Sequence, residues 1–120
     1  MSDIDWDKEW EAGRAALRLA CIEIARREAQ IPNHFYPLLH EGHRDFAHFY
    51  QMMREIDDAE LAEGRGSLGA VIVSRSTAKP GDGYLQYLSK KRACGEDLAA
   101  CWEQERNQLF EYWLSHTDEA

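Results

Sequence analysis

Apolar residues recur at three- and four-residue steps near both ends of the chain, and the pattern breaks up between them. Trp6, Trp10, Gly13, Leu17, Cys21 and Ile24 form the first stripe, with Arg14, Arg18, Glu23 and Glu28 off it. This predicts an amphipathic helix from Trp6 to Gln30, with Asp5 as its N-cap and Pro32-Asn33 as its stop. Leu98, Cys101, Trp102, Leu109, Tyr112 and Trp113 form the last stripe and predict a helix from Asp97 to His116. A short helix is expected over Pro37–Glu41, closed by Gly42. A longer one follows over Arg44–Leu61, with Phe46, Phe49, Tyr50, Met53 and Ile56 on its apolar face. Asp57, Asp58, Glu60 and Glu63 crowd its C-terminal end, where acids oppose the helix dipole, so this end reads as a weak point.

Ser67–Ser74 is short, β-branched and bounded by turn formers, and reads as a strand. Its apolar residues do not alternate with polar ones, so both faces should be covered. Pro80-Gly81 suits a type II turn, and because one strand does not stand alone, a return near Gly83–Leu85 or a partner elsewhere must pair with it, a hairpin being the economical answer. Tyr84–Arg92 then closes as a short helix, with Lys90, Lys91 and Arg92 in its last turn, where cations are favoured. The expected fold is mainly α with a small β-hairpin (α+β), one domain over residues 1–120.

Leu68-Gly-Ala-Val-Ile-Val-Ser-Arg-Ser-Thr-Ala-Lys-Pro-Gly-Asp-Gly-Tyr84 resembles a strand and turn of small bacterial winged-helix-like proteins. Those proteins carry an aliphatic strand, a Ser/Asn-Lys/Arg-x-Thr stretch and Pro-Gly-x-Gly-aromatic. The resemblance covers about residues 31–85. It implies a winged-helix-like centre flanked by long N- and C-terminal helices, with the hairpin as the wing, and brings no activity with it. The helix that would enter a DNA groove, Arg44–Leu61, carries excess acid, and each phosphate contact needs a cation. Groove reading by that helix is therefore not expected.

Charge sharpens the functional expectation. The chain of 120 residues has a formal net charge of −8, yet Gly64–Gly95 holds six basic side chains against Asp82 alone. A positive segment on a negative body selects an anionic partner. Arg65, Arg75, Lys79, Lys90, Lys91 and Arg92 are accordingly the candidate contacts to a nucleic-acid backbone, in a non-catalytic binding or regulatory module. The alternative is an acidic protein–protein module, such as a phage-type inhibitor or antitoxin, presenting Asp57, Asp58 and Glu60 to a basic groove.

Three cysteines, Cys21, Cys94 and Cys101, lie at no metal-like spacing and read as free thiols of a reducing compartment. With an acidic start and no apolar run near ~20 residues, the expectation is a cytoplasmic protein that does not engage a membrane. His34, His40, His43 and His48 fall close together, but His40-Glu-Gly-His43 is not the zinc-helix spacing, so no metal or cofactor is assigned. Gly64-Arg-Gly66 and Gly81-Asp-Gly83 lack phosphate-loop patterns and read as turns. Ser74, Ser76 and Thr77 have no base at a fixed distance, so no catalytic residue is assigned.

Overall fold

The computed structural model describes residues 6–27, 31–32, 46–74 and 77–116. Four helices make up most of these: α1 over Trp6–Arg26, α2 over Phe46–Ala62, α3 over Asp82–Arg92 and α4 over Leu98–Ser115. They match the periodic stretches in the sequence to within a few residues at each end. The expected Pro37–Glu41 helix, Asp5 and Arg44 lie outside the described residues. No helix among the described residues is long and apolar enough to cross a membrane.

The expected hairpin does not form. Leu68–Val71 is a 3-10 turn, and only Ile72–Val73 is extended. This second strand, β2, pairs in parallel with β1, Ile31–Pro32, placing Ile31 opposite Ile72 and Pro32 opposite Val73. The expected return, Gly83–Leu85, is instead part of α3. The reason is local. Carboxylates from two helices take the first amides of the apolar run, the donors that a helical turn leaves open and a strand would offer to a neighbour. Asp57 accepts from the Gly69 amide at 3.2 Å, and Glu105 accepts from the Ser67 amide at 2.9 Å. Glycine is required at position 69, since a Cβ there would sit 2.8 Å from both Asp57 Oδ2 and the Tyr84 ring.

This turn is the centre of the packing. Leu68, Ala70 and Val71 are fully buried and meet α1, α2 and α4. Leu17, Cys21 and Ile22 close the core from α1, Phe49, Met52 and Ile56 from α2, and Leu88 from α3. Trp102, Leu109 and Trp113 complete it from α4, as the aromatic stripe implied. The Trp102 indole N–H donates to the Ala70 carbonyl at 2.9 Å, so one of the core tryptophans also fixes the turn. Arg18 and Arg26 lie 5.8 and 5.4 Å from the Trp113 ring centroid and join α1 to α4.

Cys94 and Cys101 form a disulfide, with Cα atoms 5.5 Å apart, and this corrects the reading of three free thiols. The chain reverses between α3 and α4 through Ala93 and Gly95, both at positive φ, which brings the first turn of α4 back to Cys94. Cys21 remains a buried thiol, and burial, reinforced by Asp57, raises its pKa. The disulfide removes the cysteine argument for a reducing compartment.

Candidate functional site

The six cations singled out in the sequence do not gather into one free patch. Arg65 places its guanidinium on Glu60, at 3.0 and 2.7 Å, and Arg92 forks onto Glu105 at 2.6 and 3.1 Å. Lys91 pairs with Asp58 at 3.1 Å. Lys79 and Lys90 are exposed, and among the described residues neither forms an ion pair; Arg75 lies outside those residues. Lys90, Lys91 and Arg92 also occupy the last turn of α3, where the dipole favours them irrespective of any partner. Three of the six basic side chains are thus engaged within the fold.

The acidic trio is not a presented face either. Asp57 and Glu60 are each 1% exposed, so neither stands on an open protein-facing surface. Asp58 is exposed and accepts from the Tyr87 hydroxyl at 2.6 Å, which is the first cause, ahead of Lys91, of its lowered pKa. Burial works against the Glu60 charge. Hydrogen bonds from Arg65 and Arg18 outweigh it and hold the Glu60 pKa below its ordinary value. Three of the acids that looked misplaced at the end of α2, Asp57, Asp58 and Glu60, are therefore partnered by residues outside that helix.

His34, His40 and His43 lie outside the described residues, as does any account of the His48 side chain. Among the described residues no group of three His, Cys, Asp or Glu is placed to hold a metal ion. Gly64 and Gly66 have φ of +75° and +94°, as turn glycines should.

What the fold does build is a cavity of about 210 Å³ between α2, the 3-10 turn and the start of α3. Phe49, Tyr50 and Met53 line it from α2, Tyr84 and Tyr87 from α3, and Asp57 from its inner wall. Arg54 and Asp82 are exposed members of the same lining. Behind the wall runs a short polar chain. Ser67 Oγ donates to Asp57 Oδ2 at 2.6 Å, and Tyr84 Oη lies 2.7 Å from Ser67 Oγ. With Asp57 ionised, Ser67 spends its single proton on the carboxylate, so Tyr84 is the donor to Ser67.

Burial raises the Asp57 pKa to about 7, against hydrogen bonds from Ser67, Gly69 and Leu68 that pull it down, and with Glu105 adding a further push upward. Tyr84 is raised well above its ordinary value by burial and by Asp57. Ser67 is fully covered, so its hydroxyl is beyond the reach of a substrate carbon despite the adjacent carboxylate. A larger depression of about 440 Å³ lies beside the disulfide, and its charged groups are engaged within the fold. There Arg92 holds Glu105, and Asp97 accepts from the Ala100 amide to cap α4.

None of the cavity-lining residues was singled out from sequence as a site apart from Asp57, which was placed on a protein-facing surface. A signal was present. Met53, Ile56, Asp57 and Glu60 fall at helical spacing on one face, so two acids share the core stripe of α2. Comparison of the chain with protein-family models, with curated proteins and with solved structures finds no match.

Proposed function

We propose that the protein is a non-catalytic binding module that seats one side chain or head group of its partner in the cavity between α2 and α3. The observation that carries this reading is the cavity itself: aromatic walls, one polar inner surface and an opening to solvent. Its volume exceeds the roughly 150 Å³ that holds a benzene ring, and it falls short of the ~300 Å³ at which pockets for whole small molecules begin. An anchor of side-chain size is the fitting occupant. A nucleic-acid backbone is less well supported, because each phosphate needs its own cation and Arg65, Lys91 and Arg92 are committed to carboxylates.

Blocking the cavity tests the reading. Gly83 lines it, and a Cβ there meets open space, so Gly83→Leu adds bulk without a clash in the core. Ligand-observed NMR with a set of aromatic, alkyl and ammonium fragments should find binders to the wild-type chain that Gly83→Leu loses. If no fragment of any class discriminates between the two proteins, the cavity is not a binding site.

A further inference from the structure

We infer that this cavity receives an alkylated ammonium group, of the quaternary kind carried by choline or trimethylated lysine, against the ring faces of Phe49, Tyr50, Tyr84 and Tyr87 and the carboxylate of Asp57. The inference rests on the binding-module reading above and names the chemistry of the occupant. Four rings converge on one small space, and ring faces attract cations whose charge is spread over methyl groups. Phe49 and Tyr50 meet edge to face, with centroids 5.5 Å apart, and Tyr84 and Tyr87 lie tilted at 6.4 Å, so the rings within each pair are not coplanar. One of these rings already holds a cation, since Lys91 Nζ lies 5.5 Å from the Tyr87 centroid.

The charges facing the cavity favour the same sign. Asp57 and Asp82 are acidic against one base, Arg54, an exposed member of the lining that also acts on Asp58 and on the Tyr87 hydroxyl. The chain as a whole carries −8, which draws cations toward it. A hard metal cation is a poor fit, because it requires about six oxygen ligands and the inner wall offers one carboxylate among carbon surfaces. A bulky, weakly hydrated ammonium needs no such shell.

Occupancy is coupled to protons. Among the described residues the groups acting on Asp57 are Ser67 from the turn, Tyr84 and Tyr87 from α3, Glu105 from α4 and Cys21 from α1, and the one base of the cavity lining is the exposed Arg54. An entering cation adds a positive charge beside this carboxylate and favours its ionised form. Below the Asp57 pKa of about 7, binding must expel a proton, so affinity falls up to about tenfold per pH unit there and levels off above it.

Choline, tetramethylammonium and free trimethyllysine are titrated into the 15N-labelled full chain, beside 3,3-dimethylbutan-1-ol, the uncharged carbon isostere of choline. Saturating shifts at the Gly69, Gly83 and Tyr84 amides are expected with the cations. The neutral isostere should bind at least tenfold more weakly, and choline affinity should drop about tenfold between pH 7.5 and pH 6. Tyr50→Leu, at a position 41% exposed and so tolerant of change, should cost several-fold for the cations and nothing for the isostere. Asp57→Asn should abolish the pH dependence. Comparable binding of choline and its isostere would overturn the cation assignment and leave the binding module standing. Absence of any shift with all three cations, while other fragments still distinguish Gly83→Leu, would overturn it equally.

Discussion

Replacing Asp57 by Asn removes a carboxyl whose folded pKa, about 7, stands well above its ordinary value of 3.8. Between those two values the native protein binds a proton that the unfolded chain does not, so stability falls as pH rises through this window and is level above it. Three units at 1.36 kcal/mol each make the full span about 4 kcal/mol. From pH 5 to pH 7 the accessible part is about 2.5 kcal/mol. The Asn variant lacks the titration but keeps an oxygen that can accept from the Gly69 amide. Urea denaturation of both proteins at pH 5, 6, 7, 7.5 and 8 gives the difference in unfolding free energy, in which the histidines common to both chains cancel. That difference should move in favour of the variant by about 2.5 kcal/mol from pH 5 to pH 7, then by only about 0.4 kcal/mol more up to pH 8. Cys21 and Tyr84 are both raised far above this window and do not contribute. Parallel curves, constant within ~0.5 kcal/mol, would show that Asp57 titrates normally and that its burial has been misread.

Three further perturbations follow from the packing. Glu60→Ala strips the shared acceptor from Arg18 and Arg65 and should cost about 3 kcal/mol in urea denaturation, the low end for breaking a buried pair, because both arginines keep some access to water; a loss under ~0.5 kcal/mol would mean that the pairs contribute little. Gly69→Ala drives a methyl against Asp57 Oδ2 and the Tyr84 ring and should cost about 2 kcal/mol, read as a lowered urea midpoint, whereas an unchanged midpoint would show that the turn can shift. Cys94→Ser with Cys101→Ser removes a cross-link over a sequence separation of 7 and should lower stability by about 2 kcal/mol. Dithiothreitol should reproduce that loss in the wild type and leave the double variant unaffected.

Helix positions were legible because the stripes of Leu17, Cys21, Met53, Ile56, Trp102, Leu109 and Trp113 are periodic, and all of these are buried. The turn was not legible. Leu68–Val73 has the composition of a strand, and what makes its first four residues helical is a pair of carboxylates arriving from α2 and α4, a tertiary effect that overrides local preference. Glu105 was overlooked for a related reason. It lies at helical spacing between Trp102 and Leu109 and is 3% exposed, but a charge inside an apolar stripe is easily passed over in favour of the apolar residues around it. Had Asp57, Glu60 and Glu105 been recognised as buried acids, each would have demanded a partner, and Arg18, Arg65 and Arg92 would have been the natural candidates. The excess of positive charge in the sequence was real, but charge counting does not reveal which cations are already spent.

The 3-10 turn borrows its hydrogen bonds from α2 and α4 at once, so its amides are released only when both helices let go. Deuterium should consequently enter the Ser67 and Gly69 amides last of all, at the rate of whole-molecule opening, while the exposed face of α3 exchanges early. Those two amides act as a built-in clock for the cooperative unfolding of the four helices.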